Sequence, residues 1–160
     1  MGTFYKYFPD KREIFLEIYR DYSLQIERAM AAELDPQKWR GADFYVGILS
    51  LVRTAFESHR LDPGLQHAFA QIAMNDPAFQ NVRNEIRALL RKPLERLLEN
   101  RSDEISAHNI QLAAFLTDEA VEACLHRNLF LNSPFEEEEI TEELAKMITG
   151  YLTYSGHHNS

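Results

Sequence analysis

Two constellations in this chain have residue types and spacings that could do chemistry. Glu122 and His126 stand four apart, on one face of a helix, and His157-His158 form a pair near the end of the sequence. Imidazole and carboxylate together suggest a metal or acid–base site. Neither group completes a ligand set: there is no H-E-x-x-H, no E-x-x-H pair of the carboxylate-bridged bundles and no cysteine cluster. A surface pair and a tail pair are the simpler reading. Cys124 is the only cysteine, so no disulfide can form within the chain. Flanked by Ala123 and Leu125, it reads as a buried, inert thiol in a reducing cytosol. A redox-sensing role would need an electropositive, exposed setting. No G-x-S-x-G, phosphate loop or dinucleotide fingerprint is present. The expectation is a protein that is not an enzyme and holds no metal or cofactor.

The elements that position these residues are helical throughout. Phe8-Pro9 stops whatever precedes it, because proline disfavours helical geometry at the residue before it and has no N–H to donate. Asp10 with Glu13 makes a capping box for a helix running to about Met30, with Ile14, Phe15, Ile18, Tyr22, Ile26 and Ala29 as its apolar stripe. Leu34-Asp35-Pro36 breaks it. From about Asp43 to His59 the apolar residues cover more than one face, which predicts a central helix. Asp62-Pro63 and Asp76-Pro77 are two copies of one start signal, a capping Asp before a proline at the first helical position. The second opens a long helix that Pro93 should kink. Further helices are predicted from about Ser106 to Leu131 and from about Glu136 to Thr153, the last with an acidic start that suits the helix dipole. No strand alternation or internal repeat appears, and the count is six substantial helices.

The first residues carry a specific likeness. Gly2, Thr3, Tyr5, Tyr7, Phe8 and Lys11 fit a G-T-x-Y-x-Y/H-F-x-x-K pattern, and in this the chain resembles the TetR family of transcriptional regulators. There the pattern ends the recognition helix of a helix-turn-helix and opens the helix that joins the DNA-binding head to the ligand-binding body. The resemblance implies an all-α fold of the TetR C-terminal regulatory type, with the two helices expected before Gly2 absent. It divides the chain into a remnant of the recognition helix at 1–9, a ligand-binding and dimerisation domain at 10–154 and a loose tail at 155–160. It also implies that Thr3, Tyr5 and Lys11 contact DNA phosphates, with Lys6 and Tyr7 facing the groove or backbone. Hydroxyls and an ammonium group near a helix end are suited to that positioning role. Without the rest of the head, these residues are a frayed terminus that binds nothing.

Composition agrees with a body lacking its head. The 160 residues suffice for one domain with a proper core, and 45% apolar with 26% charged is ordinary for a soluble globular protein. The net charge of −8, from 25 acidic and 17 basic residues, argues against nonspecific nucleic-acid binding by this chain. Operator DNA is therefore expected as a partner only of a full-length form. No secretion signal, myristoylation pattern or membrane-length apolar run is present, which points to a cytoplasmic protein.

By resemblance, the last two helices pair with their twins across a two-fold axis as a four-helix bundle. Ala113, Leu116, Ala120, Ala123, Leu144, Ile148 and Leu152 are the interface candidates, small residues for close approach and branched ones for bulk. The same helices could instead complete a monomeric core. A small, hydrophobic effector would sit among the central helices, with Trp39, Tyr45, Phe56, His59, Phe69, Met74, Phe79 and Phe115 as candidate lining residues. The reading is a ligand-responsive regulator, a repressor by family habit, acting as a homodimer. The alternatives are a stand-alone helical binding protein, a partner that poisons a full-length relative by forming a one-headed dimer, and an α-helical enzyme of unrecognised type.

Overall fold

The computed structural model describes residues 11–60, 63–131 and 133–154. Gly2, Thr3, Tyr5, Lys6 and Tyr7, the capping residue Asp10, Asp62, the tail at 155–160 and the side chain of Met74 lie outside what is described. The described residues form six helices and no strand: α1 (Lys11–Glu33), α2 (Phe44–Ser58), α3 (Pro63–Asn75), α4 (Pro77–Asn100), α5 (Ile110–Phe130) and α6 (Glu137–Thr153).

Local chemistry sets most of the helix ends. Asp43 accepts a hydrogen bond from the Val46 N–H at 3.1 Å and starts α2. Asp76 accepts from the Ala78 N–H at 2.9 Å, with Pro77 at the first position of α4. Helix α4 continues through Pro93 to Asn100. Helix α5 starts at Ile110 rather than near Ser106, because Asn109 is the residue that caps it, accepting from the Leu112 N–H at 2.9 Å. The Ser106 N–H goes elsewhere, to the Leu152 carbonyl at 2.8 Å, and so ties the end of α6 to the α4–α5 connection. At the start of α6 the Glu139 carboxylate accepts from the Glu136 N–H at 3.1 Å.

Helix α2 is the centre. Ile48, Val52 and Phe56 are essentially inaccessible, and with Leu51 and Ala55 they pack in one core with Leu94, Leu97 and Leu98 of α4, Ala113, Ala114 and Leu125 of α5, and Leu144, Ala145, Ile148 and Leu152 of α6. Helix α1 packs against α2 and α4, while α6 lies along the other side of α2. Ion pairs Arg53–Glu138 and Arg60–Glu137 fasten α2 to α6 at the surface. Ile18 is an exception to the expected α1 stripe, at 41% exposed.

The α1–α2 connection is stapled from three sides. The Trp39 indole N–H donates to the Glu33 carbonyl at 2.8 Å, and the Glu33 carboxylate receives Lys38 and Ser50. Burial alone would raise the Glu33 pKa, but the hydrogen bonds from Lys38 and Ser50 hold it below the usual carboxylate range. From the end of α4, Arg101 donates to the carbonyls of Trp39 at 2.6 Å and Ala42 at 2.9 Å. Its guanidinium also lies over the Phe44 ring, 5.5 Å from the centroid. Trp39 can seat only because residue 47 on α2 is glycine. A Cβ there would come within 2.5 Å of the indole ring.

Gly47→Ala tests this contact. Alanine ordinarily gains about 1 kcal/mol over glycine inside a helix. Here overpacking against an indole fixed by its hydrogen bond is expected to reverse the sign and destabilise the fold by about 1–3 kcal/mol in urea denaturation. A stabilised variant would refute the account of this corner.

Candidate functional site

Helices α1 to α5 line a half-open cavity of about 400 Å³, within the range of small-molecule sites. Helix α1 gives it one wall through Tyr19, Tyr22, Ser23, Ile26 and Met30, which recur at helical spacing. Ala55 and His59 come from the last turns of α2, and Phe69 comes from α3. Opposite stand Gln80, Arg83, Asn84, Ile86, Arg87 and Leu90 of α4 with Asp118, Val121, Glu122, Leu125, His126 and Leu129 of α5. The lining is largely apolar and carries a minority of polar groups, the usual make-up of a site that buries a ligand and orients it.

The aromatic side is fixed by ring packing. Phe69 stacks with Tyr22 at 5.9 Å between centroids and meets Tyr19 edge-on at 5.1 Å, while Tyr19 also leans on Phe79 at 5.2 Å. The Tyr22 hydroxyl donates to the His59 carbonyl at 3.2 Å. Burial raises the pKa of both phenols, so both are neutral.

The charged side is built from a ladder between α4 and α5. Arg83, Arg87 and Arg91 recur every four residues along one face of α4, and Asp118, Glu119 and Glu122 answer them from α5. Arg83 contacts Glu122 at 2.8 Å, Arg87 contacts Asp118 at 2.6 Å and Glu119 at 2.8 Å, and Arg91 approaches Asp118 at 3.5 Å. At Tyr19 and at His59 alike, Arg83 and Glu122 act with opposite signs.

His59 sets its protonation by its surroundings. Burial pushes its pKa below the ordinary imidazole value, against the opposing effect of the hydrogen bond between Nδ1 and the Ala55 carbonyl at 2.7 Å. In the neutral ring Nδ1 is then the donor and Nε2 the acceptor.

Of the residues singled out from sequence, His59 and Phe69 line the cavity. Phe56 and Phe79 are fully buried in packing, Trp39 is buried under the α1–α2 connection, and Tyr45 packs partly buried against the core. Phe115 is 39% exposed on α5 with the Arg91 guanidinium 5.2 Å from its ring centroid. The sequence pattern places Tyr22 only on the apolar stripe of α1 and does not single out Tyr19 or the charge ladder, for which the four-residue recurrence of arginine on α4 is the signal. Glu122 and His126 do share a face, and both look into the cavity. Among the described residues no group of three or more metal-ligating side chains exists. Cys124 is half-buried, and burial raises its thiol pKa. Lys11, at the start of α1, is exposed. No helix among the described residues is long and apolar enough to cross a membrane.

Residues 47–152 match the family described as tetracyclin repressor-like, C-terminal domain. No curated protein and no solved structure matches the chain.

The state of His59 gives a pH prediction. Its folded pKa lies below the unfolded one, so the unfolded chain binds more protons as the solution is acidified, and stability falls with pH from about 6.5 downward. Unfolding free energy is expected to drop between about pH 7.5 and about pH 5.5, above the range where carboxylates titrate. His59→Gln should flatten that slope in urea melts across the same interval. An unchanged slope in the variant would show that another group is responsible.

Proposed function

The chain belongs to the tetracyclin repressor-like family, matched through the C-terminal domain, and from that premise we propose that it is the effector-binding and dimerising body of a ligand-responsive transcriptional regulator. The observation that carries this reading is the cavity of about 400 Å³ with α1 as one wall. Helix α1 is the element that follows the resemblance to the end of a recognition helix, so whatever displaces Tyr19 and Tyr22 also displaces the connection to a DNA-binding head. At its first turn the Arg12 guanidinium holds Asp76, the cap of α4, through two contacts at 2.5 and 2.7 Å.

The regulatory step is a shift in equilibrium. An effector that binds one setting of α1 more tightly than the other changes the spacing of the two heads in a dimer and, in a repressor, releases the operator. Operator DNA is bound by a headed form, in the cytoplasm; residues 1 to 160, at net charge −8, are not expected to bind it alone. The function is one of binding and signalling rather than catalysis.

Self-association uses the outer faces of α5 and α6. Leu144, Ile148 and Leu152 are buried within one chain because α6 turns that face toward α2, and Ala113 of α5 is buried in the same core. The surface open to a second copy carries Leu112 and Leu116, 49% and 42% exposed, with Ala123 on α5, and Met147 and Tyr151 of α6 with Tyr154 just beyond its end, while Ala120 is partly buried against the core. So many exposed large apolar groups on two neighbouring helices fit an unfilled interface.

Two measurements test the proposal. A true effector at about a hundredfold above its Kd adds about 2.7 kcal/mol of stability, which for a chain of this size raises Tm by about 5–10 °C. A broad screen of small apolar compounds that moves Tm nowhere would contradict effector binding. Sedimentation should give a dimer, and L116E combined with M147E should give a folded monomer. A monomeric parent chain would contradict the assembly.

A further inference from the structure

Every ionised group in the cavity wall already has an ionised partner. Arg83 and Arg87 line the cavity, and so do Glu122 and Asp118, which neutralise them; Arg91 and Glu119, just beyond, balance each other through the same ladder. The wall therefore carries no surplus charge. Arg87 and Asp118 are only 17% and 23% exposed, so the innermost pair is largely out of water. An ion entering beside it loses hydration and meets one like charge for each opposite one. To be paired, it must break a pair and leave a charge orphaned in a poorly solvated place. A neutral molecule disturbs no pair. Its body has Ile26, Met30, Leu90, Val121, Leu125 and Leu129 to rest against, and an uncharged polar end finds a neutral donor and acceptor in Asn84.

We infer that this cavity selects an uncharged, mainly apolar molecule with one polar end, and that the Arg83–Glu122 pair sets the selection by cancelling its own charge. The inference rests on the effector-binding reading above and adds the chemical class of the ligand. It also makes the charge preference switchable. Removing one partner leaves the other as a net charge in the wall, and the opposite ion should then gain relative to a neutral ligand. The pair is suited to such a change because it sits toward solvent, with Arg83 43% and Glu122 26% exposed, so neutralising one member strips no buried core.

The test is a matched series of one chain length and three end groups: 1-decanol, decanoate and decylammonium, titrated by calorimetry below their micelle concentrations into the chain of 160 residues. In the parent protein decanol is expected to bind at least about tenfold more tightly than either ion. In Glu122→Gln the freed arginine should improve decanoate by about tenfold with decanol little changed, and Arg83→Gln should do the same for decylammonium. Circular dichroism confirms that each variant is folded, and either variant suffices if the other is not. An ion that binds the parent as tightly as decanol overturns the inference and leaves effector binding standing, as does a folded variant in which the opposite ion gains nothing relative to decanol. Failure of all three probes to bind overturns both.

Discussion

The cation–carboxylate ladder between α4 and α5 is the constraint on which the site depends. Arg83, Arg87 and Arg91 of α4 pair with Asp118, Glu119 and Glu122 of α5 along the seam between the two helices, beside the cavity that both helices line together with α1. The same ladder balances three arginines against three carboxylates, with Arg87 and Asp118 each shared between two partners.

Helix α1 serves the cavity and the rest of the molecule in different ways along its length. Its C-terminal part is locked by Glu33, which holds Trp39, Lys38 and Ser50 and so joins the α1–α2 connection to the core. Its middle offers tyrosines to the cavity. At its first turn Arg12 pairs with Asp76. A helix fixed firmly at one end and held by an exposed ion pair at the other has a natural direction in which to move. Helix α2, packed on α1, α5 and α6, provides the rigid frame against which such a movement has meaning.

Much of the fold was legible in the sequence. Apolar recurrence and the Asp-Pro signals located six helices, and the dense apolar coverage of 44–56 marked α2 as central. What recurrence could not give was direction. Leu144, Ile148 and Leu152 are as apolar as an interface needs, yet they face α2, while Met147 and Tyr151 on the other side of the same helix stay exposed. Both stripes satisfy a helical period, and only packing decides between them. The pocket candidates share this limit. Large aromatic residues such as Phe56 and Phe79 are wholly taken up in packing, whereas the cavity is lined by partly buried tyrosines and paired charges. Gly47 shows the reverse case: a glycine inside a helix carries no meaning in sequence until the indole it admits is in view.

For the proposed regulator to work through this cavity, a ligand there must act on α1, and amide hydrogen exchange of the chain with and without saturating 1-decanol reads that response. Slower exchange is expected in the Tyr19–Met30 stretch of α1 and in the facing turns of α4 and α5, with α6 unchanged. Bound decanol that leaves α1 exchanging at its free rate, or that protects α6 instead, would contradict it.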